Sequence, residues 1–321
     1  MKSAFSISVL TVLFMSLTGL AQAQYPSRTV RVVVPYGAGG PTDLVARVLS
    51  AGLTEAWGKP VIVENRAGAG GNIGAEVVSK SAADGYTLMV APSGLVVINP
   101  WLFEKMPFDP QKDLTAISNL GSGPIIMFVS PKLAVKNMAE YVRYARDNPG
   151  RSNFSSPAIG TIPHLAGEML MQQTDVKIVH VPYPGAPQAM TAAINGDADV
   201  MFDSTISLAH MKAGRVRGLA ILSKSRYHLA PDIPTVVEAG FPGMTVDAWY
   251  GLFAPANFPA ELGRRIRADA EKILHSSDSK AKLESIGYEP LVNASEVVTK
   301  AIATEAAYWG GVFKRAGIRP Q

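Results

Sequence analysis

A glycine-rich stretch near the start of the chain has the residue types of an anion-binding site. It lies between a valine-rich run (residues 30–34) and a run with helical periodicity (residues 44–49), which predicts a strand, a loop and a helix. Glycines let the backbone approach a ligand closely, and the first turn of a helix offers unpaired N–H groups. The candidate ligand contacts of this first loop are Tyr36, Gly37, Ala38, Gly39, Gly40, Pro41, Thr42 and Asp43. Taken alone, the pattern fits a tight structural turn better than an anion-binding site. The choice between the two depends on the rest of the chain.

A second turn of the same kind lies in the middle of the chain. Residues 152–155 are predicted as a strand and residues 165–170 as a helix, and the candidate contacts of this second loop are Ser156, Ala158, Gly160 and Thr161. If both loops open onto one cleft, two helix N-termini face the same anion, each contributing about 0.3–1 kcal/mol when exposed and up to ~2 when partly buried. Hydrogen bonds to a charged acceptor contribute ~1.5–3 kcal/mol each, so a micromolar site of ~8 kcal/mol needs no arginine.

Further polar residues follow predicted strands. Asp203 ends the strand 198–202, where capping of the next helix and acceptance of a donor group from a ligand are equally good interpretations. Ser93 holds a similar place but fits a plain loop serine better, and Tyr183 with Gly185 either closes a pocket wall or simply forms a turn. The glycines at 68–74 miss the G-x-G-x-x-G register and are interpreted as a structural turn with Asn72 near the cleft.

The chain lacks the residues that several classes of chemistry require. The chain has no cysteine, its five histidines show no metal-ligand spacing, and no G-x-S-x-G elbow occurs. We therefore expect no catalytic residues, no bound metal and no cofactor, and we expect a binding protein and not an enzyme. The net charge of +4 comes from scattered Lys and Arg, which does not favour nucleic acid and supports only a mild attraction for anions.

The N-terminus has the pattern of a secretory signal peptide. Lys2 precedes an apolar stretch that ends in Ala21-Gln22-Ala23, so residues 1–23 are predicted to be removed after Ala23. No later run approaches the ~20 apolar residues of a membrane span, and we expect a soluble periplasmic protein.

The mature chain is predicted to fold as α/β in two lobes. Strand and helix signals alternate from residue 29 to about 90 and again after Pro131, which implies parallel strands with helices on both faces. The last part, with helices near 260–275 and 295–315 and a capping box of Asn293 with Glu296, is expected to pack on the first lobe. The predicted lobes are residues 24–123 with 226–321 and residues 124–225, joined by crossings near 121–126 and 222–228, with the site where they meet.

The chain resembles the Bug (Bordetella uptake gene) or TctC-type solute receptors of tripartite tricarboxylate transporters. The resemblance covers essentially the whole mature length and lies in an ordered set of motifs: Pro35–Asp43, Val63–Gly74, Asp84–Leu88, His164–Glu168, His180–Tyr183, Asp199–Asp203 and Pro234–Val236. It implies a two-lobed, Venus-flytrap (type II) periplasmic binding protein with two crossover segments. It also implies that both loops hold one ligand carboxylate and that the protein delivers its ligand to membrane permease subunits.

The chain departs from many relatives at Pro157-Ala158-Ile159, where a more polar Ser-Gly-Asn is common. Proline removes a donor and isoleucine adds apolar surface, which suggests an aromatic or longer-chain ligand among the di-, tri- and aromatic carboxylates considered. The predicted function is capture of such an acid by a monomer through lobe closure. The alternative is a periplasmic sensor subunit that presents its liganded form to a signalling receptor.

Overall fold

A computed structural model describes residues 25–157 and 159–320 of the chain. Its strands join in one mixed sheet in the order β2-β1-β3-β9-β4-β7-β5-β6, with β8 and β10 also paired to β4. The pairs of β1 with β2 and β3, and of β5 with β6 and β7, are parallel, as the strand–helix alternation predicted. The strands are β1 (Val30–Val34), β2 (Val61–Asn65), β3 (Thr87–Pro92), β4 (Leu114–Val129), β5 (Asn153–Ser156), β6 (Val179–Pro182), β7 (Val200–Ser204), β8 (Arg217–Ile221), β9 (Asp247–Pro255) and β10 (Glu289–Pro290).

The long strand β4 connects the two halves of the molecule. Residues 114–124 pair with β9 in the half that contains β1–β3, and residues 125–129 pair with β7 and β8 in the other half. The strand contains Gly121, Gly123 and Pro124, residue types that weaken a strand interior. Pairing on both edges nevertheless keeps the strand continuous. We call the half with β1–β3 lobe 1 and the half with β5–β8 lobe 2.

Strand β9 was not predicted. It runs antiparallel between β3 and β4 and lies at the centre of lobe 1. Tyr227, Ala230 and Ile233, which the sequence assigned to lobe 1, pack with Ile126 and Phe128 in a lobe 2 cluster. The chain therefore returns to lobe 1 at the start of β9, later than the crossing predicted near residues 222–228. The full set of lobe boundaries stays a prediction.

The helices cover both faces of the sheet. They are α1 (Pro41–Trp57), α2 (Asn72–Ser79), α3 (Ser93–Val97), α4 (Asn99–Leu102), α5 (Met138–Asp147), α6 (Ile162–Thr174), α7 (Ala186–Asn195), α8 (Leu208–Lys212), α9 (Ala260–Leu274), α10 (Ser277–Ser285) and α11 (Ser295–Ala316). In α11, Val298, Ile302, Trp309 and Phe313 are buried on one face, as their spacing predicted. The capping box was wrong, because Ala294 is the N-cap and the Asn293 amide donates to Asn119 instead. Within the described residues, no helix is long and apolar enough to cross a bilayer. The predicted signal peptide lies outside them.

Candidate functional site

A cavity of about 550 Å³ lies between the lobes, where β4 passes from one to the other. Lobe 1 contributes the start of α1, the turns around α3 and α4, and β9, and lobe 2 contributes the second loop and the end of β7. The volume suits a small organic molecule. The lining residues are Tyr36, Pro41, Thr42, Gly70, Pro92, Ser93, Gly94, Ile98, Asn99, Leu102, Phe103, Ile125, Ile159, Gly160, Thr161, Ile162, Pro163, Asp203, Ser204, Ala248, Trp249, Tyr250 and Tyr288.

The first loop is held in shape by the carboxylate of Asp43. Its Oδ2 accepts from the Gly39 N–H at 2.9 Å and from Arg47 Nε at 2.8 Å, and its Oδ1 accepts from Asn65 Nδ2 at 3.0 Å. Burial raises the pKa of this carboxyl, but the hydrogen bonds from Arg47, Gly39 and Asn65 outweigh burial, so its pKa is lowered overall. Asp43 therefore supports the loop from inside the protein, in the position expected of a residue that satisfies amides near a helix start.

We expect Asp43→Asn to lower the free energy of unfolding by about 1–2 kcal/mol near pH 7, because buried donors lose a charged acceptor. Since the pKa of Asp43 is lowered by folding, its contribution is present above the unfolded pKa and lost as the pH falls through the folded one. The difference between the two proteins should therefore shrink in acid, as measured by urea unfolding across pH. Arg47→Ala is the control, because its half-exposed ion pair is worth only about 0.3–0.5 kcal/mol. An equal loss in both variants would contradict the anchoring role.

The second loop begins at the end of β5 and leads into α6. Thr161 is the N-cap of α6, its hydroxyl accepting from the His164 N–H, and Pro163 lies in the first helical turn. Gly160 has a φ of +78°, and a Cβ there would lie 2.7 Å from Leu102 Cδ1 of the opposite lobe. Glycine is thus required both for the backbone conformation and for close contact across the cleft.

Of the glycines at 68–74, Gly70 lines the cavity. The Gly70 carbonyl, in a 3₁₀ turn, accepts from Tyr36 Oη at 3.1 Å and from Asn99 Nδ2 at 3.0 Å, and Asn99 also donates to Asn72 Oδ1 at 2.8 Å. A Cβ at Gly71 would lie 2.6 Å from Leu95 Cδ1. These contacts support the interpretation of this stretch as a structural turn with Asn72 near the cleft.

A hydrogen-bonded row of polar groups crosses the floor of the cavity between the lobes. Thr42 hydrogen-bonds to Tyr250, the Tyr250 hydroxyl donates to Tyr288 Oη at 3.3 Å, and Ser204 also hydrogen-bonds to Tyr288. At the lobe 2 end, Asp203 accepts from the Ser204 N–H at 2.8 Å and from the Ser207 hydroxyl. Asp203 therefore stabilises the turn that follows β7 and also lines the cavity, and its acceptance of a donor group from a ligand stays a prediction.

The cavity is apolar for the most part and contains one buried acid. Burial raises the pKa of Asp203 to about 6, although the hydrogen bonds from Ser207 and Ser204 oppose the rise. None of the described lining residues is Lys, Arg or His. In the described parts of the chain, no group of three or more His, Cys, Asp or Glu could hold a metal ion. The donors that the described lining offers to an anion are therefore N–H and O–H groups.

The structure brings some of the predicted contacts to the cavity and not others. Those that line it are Tyr36, Pro41, Thr42, Ser93, Gly160, Thr161 and Asp203, whereas Gly37, Ala38, Gly39, Gly40, Asp43, Ser156, Tyr183 and Gly185 are not among the lining residues. Ser93 is the first residue of α3 and not a loop serine. Ala158 lies outside the described residues. The ligand contacts themselves stay predictions.

A large part of the cavity lining was not predicted from the sequence. Ile98, Asn99, Leu102 and Phe103 lie around α4, a four-residue helix that contains Pro100 and is too short for a periodicity signal. Trp249 and Tyr250 lie on β9, and Tyr288 precedes β10. A glycine beside two large aromatics, in Trp249-Tyr250-Gly251, was the one local signal of a strand packed closely against a site.

Two lobes with parallel strands around a shared cavity define the class of a periplasmic solute-binding protein. The chain matches the family described as "Tripartite tricarboxylate transporter family receptor" over residues 45–318, and it belongs to that family. The resemblance noted from the sequence motifs is thereby confirmed. The family and its structural neighbours are binding proteins and not enzymes, which agrees with the expectation from the sequence.

Similar proteins cover nearly the whole chain. BugT of Bordetella pertussis is 31% identical over 96% of both chains, and a UPF0065 protein of Pseudomonas sp. strain P51 is 33% identical over 89% of this chain and 85% of its own. Among solved structures, R. palustris Rpa4515 with adipate has a TM-score of 0.83 at 32% identity, covering 92% of this chain and all of that one. MatC of Rhodopseudomonas palustris with bound malate has a TM-score of 0.77 at 32% identity, covering 90% and 99%.

Proposed function

We propose that this protein captures a small organic carboxylate in the cavity between its lobes and delivers it to the membrane subunits of a tripartite tricarboxylate-type transporter. The observation that carries the proposal is that both helix-start loops, one from each lobe, line a single cavity of about 550 Å³. Such helix starts attract anions. Relatives of similar length hold adipate and malate, which supports an acid as the ligand here.

The residues that line the cavity narrow the class of acid that the protein is proposed to bind. Ile98, Leu102, Phe103, Ile159 and Trp249 offer apolar surface to the body of the ligand. Because the described lining lacks a cationic side chain, hydroxyl and amide donors such as those of Thr42, Ser93 and Thr161 bind the carboxylate. An acid with an apolar body, such as an aliphatic dicarboxylate longer than malate or an aromatic acid, fits this lining best.

The proposed location is the periplasm. The family receptors act there, and the N-terminal sequence has the three regions of a secretory signal, with removal proposed after Ala23. The proposed form is a monomer that closes around its ligand, and the proposed partners are the permease subunits. Edman sequencing of protein isolated from the periplasm should begin at Gln24.

A thermal-shift screen tests the proposed function. Purified full-length mature protein is heated with adipate, malate, citrate, benzoate and terephthalate, and we expect at least one to raise the melting temperature. An acid present at 100 times its dissociation constant adds about 2.7 kcal/mol to the free energy of unfolding. The matched control is the neutral diamide of adipic acid, or the methyl ester of an aromatic acid, which should not bind. A shift with neutral analogues equal to that with the acids would contradict carboxylate recognition.

A further inference from the structure

Two histidines from separate sequence motifs meet directly behind the second loop. The rings of His164, on α6, and His180, on β6, stack with centroids 4.0 Å apart and planes 21° apart. The Phe154 ring stacks on His180 at 4.8 Å and completes the cluster. His164 is almost fully buried, and neither histidine lines the cavity.

His164 holds the far end of the second loop by one specific atom. Its Nδ1 accepts a hydrogen bond from the Gly160 N–H at 2.9 Å. The ring must therefore be neutral with its proton on Nε2, because a protonated Nδ1 has no lone pair to offer. That proton points toward Glu168 Oε1, 3.5 Å from Nε2, one turn further along the same helix.

His180 holds the near end of the loop. Its Nε2 is 2.7 Å from the Ser156 hydroxyl, at the last residue of β5. Burial, with a smaller contribution from His164, lowers the pKa of His180 to about 4. The ring is therefore neutral near pH 7 and does not place a positive charge against the His164 ring.

We propose that His164 and His180 are positioning residues that set the geometry of the second loop, and through it the affinity for the ligand. The inference rests on the proposed function and adds to it. It also changes the assignment of donors, because the Gly160 N–H serves the loop and not the ligand. Gly160 instead forms the surface that meets Leu102 across the cleft.

An ordinary core histidine is the competing interpretation. A histidine that acts only by filling space can be replaced by any apolar residue of similar size, whereas one that acts by Nδ1 can be replaced only by an acceptor at the same place. Asparagine puts its carbonyl oxygen near the position of Nδ1, and glutamine puts its own near Nε2. His164→Asn, His164→Gln and His164→Leu therefore separate the two roles.

The first measurement uses the unliganded protein. NMR amide exchange at Gly160 should be near wild type in His164→Asn and faster by about tenfold or more in His164→Gln and His164→Leu. His275→Leu, at the exposed end of α9, is the matched control and should change nothing.

The second measurement is calorimetric titration with adipate and malate. Affinity should fall about tenfold in His164→Gln and His164→Leu and stay within threefold in His164→Asn, with melting temperatures recorded to confirm folding. Failure of the wild type to bind any acid contradicts the proposed function but leaves the exchange measurement able to decide the role of His164. Equal Gly160 exchange in the wild type and in folded His164→Leu would overturn the inference.

Discussion

Replacing Gly160 by alanine is expected to weaken ligand binding about thirtyfold in a protein that still folds. Two separate effects act at this position. The positive φ of +78° strains any residue with a Cβ by about 1–2 kcal/mol, in the open and closed forms alike. The contact of that Cβ with Leu102 arises only when the lobes meet, and overpacking of this kind costs about 1–3 kcal/mol. Only the second effect lowers affinity.

The chain offers a matched control for the strain. Gly214, in the turn after α8, has a φ of +70°, and a Cβ at this position would have no atom within 4 Å, so Gly214→Ala should lower stability without changing affinity. Truncation of the opposing side chain should restore closure, so the double variant Gly160→Ala with Leu102→Ala should bind more tightly than Gly160→Ala alone. Calorimetry with the best acid from the thermal-shift screen measures all four proteins. Equal affinity of Gly160→Ala and the wild type would show that the lobes do not meet at this point.

Asp203→Asn is expected to stabilise the protein by about 2–3 kcal/mol at pH 7.5. Burial raises the pKa of Asp203 to about 6, so folding favours its protonated form. Between the unfolded pKa and about 6, the folded state binds more protons than the unfolded state, and stability therefore falls as the pH rises. Asparagine keeps an acceptor for the Ser204 N–H and removes the buried charge, with each unit of pKa worth about 1.36 kcal/mol.

The gain in the free energy of unfolding should increase as the pH rises. It should be largest above pH 6 and vanish below about pH 3, where Asp203 is protonated in both states. Guanidinium unfolding of the wild type and variant at several pH values measures it. Asp232→Asn, at an exposed position, is the control and should change the free energy of unfolding by less than about 0.5 kcal/mol. A gain that is constant from pH 4 to 8 would mean that the charge of Asp203 is not its cause.

Local sequence was enough to predict both loops and the helices that follow them. A β-branched run, then glycines, then proline with Thr42 and Asp43 predicted the start of α1, and the structure has it at Pro41 with Asp43 accepting from Gly39. Thr161 before α6 is the same kind of signal. Such patterns are decided within about ten residues of chain, where capping and turn geometry dominate.

Strands that depend on distant partners were not predicted. β9 begins a few residues after Pro242 and ends at Pro255, and its segment lacks the alternation of a half-buried strand because both of its faces are buried. The floor of the site was missed because it also depends on distant strand pairing. Tyr250 and Tyr288 are 38 residues apart in the sequence and meet because β9 and β10 both pair with β4. Pairing over such distances follows from tertiary packing and leaves little trace in local composition.

The continuity of β4 determines how the cleft can open. Its pairing with β9 reaches Pro124, and its pairing with β7 begins at Ile125, so no unpaired residue separates the two halves. Its register already shifts between Asn119 and Gly121 and between Met127 and Phe128, on either side of this junction. We therefore expect entry of a ligand to require a change in twist spread along β4, and not rotation about a single flexible joint. A substitution that stiffens Gly121, where a Cβ would lie 3.2 Å from the Glu289 carbonyl oxygen, should slow ligand exchange more than it alters the equilibrium.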